Sequence, residues 1–179
     1  MVAIKGGDKL EAHLKEMSKQ VSKPANLSVG FLEDATYPDG KSVAMIAAIQ
    51  EFGAPKVGIP PRPYFRNMVA AKSGKWSEAI ADLLKSTNYD ATKTMMQVGE
   101  GIAGQLRQSI VDTSAPPLSV LTLMARKWKA DNPDKDMSRT VLAELRAQMA
   151  SGPPNVGGVS TKPLVETGNM LNSIDYTVK

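Results

Sequence analysis

At 179 residues, with 42% hydrophobic and 22% charged, the chain is long enough for one sizeable core, too short for two large domains and too apolar for wholesale disorder. Its 22 basic residues are scattered among 18 acidic ones, so the net charge of +4 describes a solvated surface rather than a nucleic-acid footprint. The absence of cysteine removes disulfides, thiolate nucleophiles and most zinc frameworks, and fits folding in a reducing cytoplasm. No signal-like apolar stretch and no run approaching the roughly 18 apolar residues of a membrane span is present, so a soluble chain without a visible export signal or a membrane partner is expected.

From Asp8 to Val21, Leu10, Leu14, Met17 and Val21 recur at helical spacing, with Lys9, Glu11, Lys15, Glu16 and Lys19 at the other positions. This predicts an amphipathic first helix, ended by Lys23-Pro24 because the residue before proline is pushed out of the helical region. Leu27, Val29 and Phe31 then alternate with Ser28 and Gly30 as in a half-buried strand, and Tyr37-Pro38-Asp39-Gly40 reads as a turn. Ser42 is placed to cap a helix over Val43 to Phe52, whose apolar run goes nearly all round and predicts burial.

Gly53 follows where the helix needs a left-handed terminating residue, and Pro60, Pro61 and Pro63 stiffen the chain, with Pro63 placed as the first residue of the next helix ahead of Tyr64 and Phe65. That helix, broken or bent at Ser73-Gly74, carries Phe65, Met68, Val69, Trp76, Ile80, Leu83 and Leu84 on one face, and is expected to cover the sheet. Arg62 and Arg66 stand at its start, where the helix dipole disfavours positive charge. The compensating group is either an internal carboxylate such as Glu51 or an acidic patch on a neighbouring subunit. In the second case Arg62, Tyr64 and Arg66 face a partner, and losing either arginine leaves the monomer's stability nearly unchanged, whereas Phe65 serves the core.

Asp90 is placed to cap a helix carrying Met95, Gly99, Ile102, Leu106, Ser109 and Ile110, which stops before Pro116-Pro117. Leu118 to Trp128 reads as a short helix or arm, with Leu118, Leu121, Leu123 and Met124 apolar. Val141, Leu142, Leu145 and Met149 mark another helix, and Ser151-Gly152-Pro153-Pro154 with Gly157-Gly158 a flexible linker. The chain closes with a turn and short helix, then Ile174, Tyr176 and Val178 alternating as a final strand. Neither short strand can bury its apolar face alone, so Leu27 to Phe31 and Ile174 to Val178 are predicted to share one sheet.

Gly99-Glu100-Gly101-Ile102-Ala103-Gly104 matches GxGxxG, yet it follows a polar helix-like stretch rather than a strand, and no carboxylate stands about 20 residues further on to hold a ribose. The glycines therefore read as a site of close packing, and a nucleotide-binding enzyme is the remote alternative. His13 is the only histidine, so no triad can be built on it. Glu33-Asp34 and Asp131 to Asp136 are turn-like acidic clusters; a weak calcium site at Asp131, Asp134 and Asp136 is the one metal reading weighed, and neither a metal nor a cofactor is assigned.

Three separated stretches resemble, in content and order, the neck and tail-completion proteins of long-tailed bacteriophages. They are Ala47 to Arg66; Ala115-Pro116-Pro117-Leu118-Ser119 through Thr122 and Lys127; and Lys162-Pro163-Leu164-Val165-Glu166-Thr167-Gly168 to Tyr176. In that family an EFG-like turn leads to IPPRPF, here with Tyr64 for the commoner phenylalanine. A PPLSxxTxxRK-like segment follows, and then a PLVDTGxMxxSIxY-like ending, here with Glu166 for aspartate. Trp128 to Val159 is longer than the family pattern and reads as an inserted helix and arm.

The resemblance implies an α+β fold, a small antiparallel sheet packed with several helices, with residues 1–114 and 161–179 as the core and 115–160 as a helical arm. It implies no enzymatic reaction. A structural virion protein is expected, made in the host bacterial cytoplasm, homo-oligomeric and ring-like, joining the head connector to the tail through other neck and tail proteins, with at most passing contact with DNA in the neck channel. The tail terminator that caps the tail tube is the alternative. Arg62, Tyr64 and Arg66 in the turn, and Leu118, Leu121, Arg126 and Trp128 on the arm, are the candidate interface residues.

Overall fold

The computed structural model of the chain describes residues 7–22, 25–31 and 35–179. Lys23-Pro24 and Glu33-Asp34 lie outside the described residues. The fold is α+β: a two-stranded antiparallel ribbon packed on a long helix, with the remaining helices around it. The elements run α1 (Gly7–Val21), β1 (Leu27–Phe31), α2 (Val43–Phe52), α3 (Tyr64–Lys72), α4 (Trp76–Ser86), α5 (Ala91–Asp112), α6 (Val120–Asp131), α7 (Arg139–Ser151), α8 (Asn169–Asn172) and β2 (Ile174–Val178). Single 3-10 turns stand at Pro55–Val57 and at Ser73–Lys75, the second making the bend between α3 and α4.

β1 and β2 pair as expected, in a register running from Leu27 opposite Val178 to Phe31 opposite Ile174. A lone hairpin-sized ribbon is marginal in water, so it needs a third surface. That surface is α5 rather than the predicted α3 and α4. Gly99 makes the approach possible, because a Cβ there would lie 2.5 Å from the Tyr176 ring and 2.9 Å from Leu27 Cδ1. Close packing thus explains Gly99, whereas Gly101 and Gly104 face open space. α5 runs unbroken through the whole glycine motif, so the motif does not open a helix and its backbone forms no phosphate cradle.

Around α5 the core is continuous. Ala103, Leu106 and Ile110 of α5 pack with Val43 and Ala47 of α2, Tyr64 and Met68 of α3, Met170 of α8 and Ile174 of β2. Polar ties hold the same layers in place: Ser109 Oγ donates to the Tyr64 carbonyl at 2.7 Å, Arg107 to the Ile174 carbonyl at 2.7 Å, and Trp76 Nε1 to Gln105 at 3.0 Å. Toward its N-terminus α5 turns Thr94 inward rather than Met95. The buried hydroxyl is satisfied by the Asp90 carbonyl and by Thr87 Oγ, each at 2.7 Å.

α2 departs most from expectation. Ser42 caps it as predicted, Oγ accepting from Met45 N, but only Val43, Ala47 and Glu51 are buried. Met45 and Phe52 stand open to solvent, because among the described residues no element covers the outer side of this helix. α1 forms where predicted and likewise buries none of its residues.

Candidate functional site

The chain turn between α2 and α3 is built around Gly53 and Glu51. Gly53 closes α2 with its N–H on the Ile49 carbonyl, at φ 76° and ψ 170°. Its φ is positive as expected, though ψ is extended rather than left-handed helical. A Cβ at Gly53 would strike Pro61 N at 2.7 Å and the Ile59 carbonyl at 2.9 Å. Glu51, 5% exposed, turns its carboxylate onto the start of α3. It accepts from Phe65 N at 2.9 Å, Arg66 N at 3.2 Å and Arg66 Nε at 2.8 Å. A buried anion is thereby satisfied by the free N–H groups and positive dipole end of a helix. Of the two compensators open to sequence, the internal carboxylate is the one found for Arg66. Its side chain remains 58% exposed, with the guanidinium 5.0 Å from the Phe52 ring centroid.

Arg62 takes a different course and is corrected here from an interface candidate to an interior residue, only 4% exposed. Its Nε donates to the Pro116 carbonyl at 3.0 Å, one Nη to Gln50 Oε1 at 3.0 Å and the other to the Pro117 carbonyl at 3.4 Å. Proline carbonyls outside any helix are free acceptors, and a planar guanidinium with five donors can take several together. Arg126, 8% exposed, does the same further along. It donates to the carbonyls of Ser160 at 2.7 Å, Lys162 at 2.9 Å, Pro163 at 3.3 Å and Val165 at 3.5 Å. Its Nε lies 3.3 Å from Glu166 Oε2, an ion-pair distance without hydrogen-bond alignment. Burial lowers the Arg62 pKa, and the neighbouring Arg126 charge lowers it further.

These contacts join the three sequence motifs in one place. Arg62 of the proline-rich turn holds Pro116-Pro117, and Arg126 holds the Ser160 to Val165 return that leads into β2. Tyr64 lies beside the junction, 2% exposed, and it too is corrected from interface to interior. Its hydroxyl donates to the Ala47 carbonyl at 3.1 Å and its ring meets Phe31 edge to face. Burial raises the phenol's pKa, with the Glu51 charge adding to the rise. Phe65, assigned to the core, is only half-buried, because Pro63 caps α3 instead of opening it and the inward phase falls on Tyr64 and Met68.

On the presumed arm, Leu118 and Leu121 are half-buried. Trp128, also half-buried, lines a cleft between α6 and α7 together with the buried Met124 and Leu145. Pro153, Pro154 and Asn155 line the same cleft, so the linker folds back along the helices instead of reaching away. Asp131 is paired with Lys127 Nζ at 2.5 Å, and among the described residues no cluster of three or more potential ligands gathers for a metal. The calcium reading at Asp131, Asp134 and Asp136 is withdrawn on that geometry.

Among the described residues two apolar surfaces are left open, one outside the resembling stretches and one partly within the Ala47 to Arg66 stretch. On α1, Leu10, Leu14 and Val21 are 60%, 54% and 47% exposed. On the outer side of α2 and α3, Phe31, Ala44, Ala48, Phe52 and Phe65 line a shallow depression with Arg66 on its rim. Compared with protein-family models, with curated proteins and with solved structures, the chain gives no match.

Proposed function

We propose that the chain is a structural protein of a tailed-bacteriophage virion, acting at the joint between head and tail as a homo-oligomer that links the head connector to the tail. The observation that carries this reading is the meeting of the three resembling stretches. Arg62 of the first stretch bonds to the Pro116 and Pro117 carbonyls of the second, and Arg126 of the second bonds to the Lys162 and Pro163 carbonyls of the third, so stretches far apart in sequence are tied in succession. Chance likeness in three unrelated loops would give no reason for them to meet. The glycine motif, the residue basis of the enzymatic alternative, lies inside the unbroken helix α5 with Gly99 packed against the Tyr176 ring, and lends that alternative no support.

The test is loss of the encoding gene in the phage, read by electron microscopy. DNA-filled heads and separate, complete tails are expected, with infectivity restored by the protein supplied in trans. Normal joined and infectious particles would overturn the reading, and joined tails of uncontrolled length would replace it with the tail terminator.

A further inference from the structure

We propose that α1 of one copy docks its apolar stripe into the α2–α3 depression of a second copy. The inference rests on the preceding reading only for the expectation that copies assemble. Leu10, Leu14, Met17 and Val21 form a single ridge, since at 3.6 residues per turn they fall within about 60° of one another. Covering such a ridge is what an amphipathic helix of this kind requires, and among the described residues of its own chain nothing buries it. The depression is the complementary shape: an apolar hollow with Phe52 64% exposed and Met45, 51% exposed, on the same side of α2. One chain thus carries both halves of a contact and completes neither.

Charge favours the same pairing. Among the described residues lining the depression, the sole carboxylate is that of Glu51, which is already bound to Arg66 and the start of α3. Arg66, which lines the depression with its side chain 58% exposed, still presents a guanidinium at that edge. Of the charged side chains on α1, Glu11 stands nearest the stripe, about 90° round from its centre, where it can meet Arg66 of the second copy. A lipid surface is a poorer occupant, because Lys9, Lys15 and Lys19 are balanced by Asp8, Glu11 and Glu16, and surface-lying helices bind anionic lipid through an excess of cations.

Area argues for a closed assembly of like chains. A helix of 15 residues is about 22 Å long, and covering under half its surface removes roughly 800 Å² in total from water, which is less than the ~1,200 Å² of a stable interface. Closing the assembly adds one such contact without adding a chain, so every copy buries twice the area that an end copy of an open chain would. Two different patches meeting head to tail close into a ring when the rotation between copies allows.

The chain contains no cysteine, so introduced thiols are unambiguous reporters. Leu14→Cys in one preparation and Ala48→Cys in a second, differently tagged one are mixed and mildly oxidised. The mixed disulfide dimer is expected in several-fold excess over either like pair. Leu14→Glu and Phe52→Glu should each reduce the wild-type assembly to a particle of 19.2 kDa with the melting temperature retained. The proposal is overturned by a monomeric wild type at hundreds of micromolar, by no excess of the mixed dimer, or by a Leu14→Cys/Ala48→Cys chain that closes on itself. It is overturned equally by assembly that survives Leu14→Glu, and by a monomer that floats with phosphatidylglycerol–phosphatidylethanolamine vesicles through Leu14. If the mixed disulfide forms but gene loss leaves normal virions, the docking stands and the virion reading falls; the reverse pattern separates them the other way.

Discussion

The motif junction and the outer face of α1 and α2 divide the work of this molecule in a way opposite to what residue type suggests. Arginine and tyrosine beside a rigid proline turn have the composition of an interface, yet Arg62, Tyr64 and Arg126 are buried and spend their donors on the chain's own carbonyls. Leucine, methionine and phenylalanine at helical spacing have the composition of a core, yet Leu10, Leu14, Met45 and Phe52 stand in solvent. The guanidinium groups tie loops through backbone carbonyls, and the open apolar side chains are the ones the proposed docking would cover.

The largest effect that would break this contrast concerns Arg126. Arg126→Ala leaves the buried Pro163 contact and the part-buried Ser160 and Lys162 contacts without their donor, and with the full penalty of about 1–3 kcal/mol falling on the buried group and less on the others, the variant should lose on the order of 2–4 kcal/mol in urea unfolding. A loss below about 0.5 kcal/mol would mean that water replaces the arginine and that the junction is not cohesive.

Next in size is a difference among the glycines of α5. Gly99→Ala drives a methyl into the Tyr176 ring, and overpacking of about 1–3 kcal/mol should outweigh the roughly 1 kcal/mol that alanine returns in helix propensity. Gly101→Ala and Gly104→Ala meet open space and should stabilise by up to about 1 kcal/mol each. Thermal melts of the three variants check the signs; a stabilised Gly99 variant would show that the ribbon does not sit closely on α5.

A smaller effect is expected with pH. Burial raises the Tyr64 phenol's pKa above the ordinary phenol value of about 10, so the folded state favours the neutral form. Its contribution is fully present below pH 10 and is lost as pH rises from there toward the folded-state pKa. Urea midpoints should therefore fall above pH 10 more steeply for the wild type than for Tyr64→Phe, and equal slopes would argue that the phenol is solvated.

Much of the fold was legible because its signals are local. The α1 and α5 periodicities, the Ser42 and Asp90 caps, the Gly53 stop, the Ser73-Gly74 bend and the two alternating strands all came from spacing within a few residues. What could not be read was which surface covers which. α2 looked buried because it is apolar all round, but periodicity says nothing about whether an element exists to lie on it. Arg62 and Arg126 were misjudged because their acceptors are backbone carbonyls, which no side-chain pattern reveals, at separations of 34 to 55 residues. The proline pair was the available signal, since residues 116 and 117 cannot use their carbonyls in a helix that has already ended.

The role of the proline turn is tested most directly by urea unfolding of Arg62→Ala in a Leu14→Glu background, where the proposed α1 docking is removed and only the fold is measured. With the Pro116 and Pro117 carbonyls and Gln50 left without their donor, the midpoint should fall by the equivalent of about 2–4 kcal/mol. An unchanged midpoint, together with lost assembly when Arg62→Ala stands alone, would contradict the account and return the proline turn to the surface between copies.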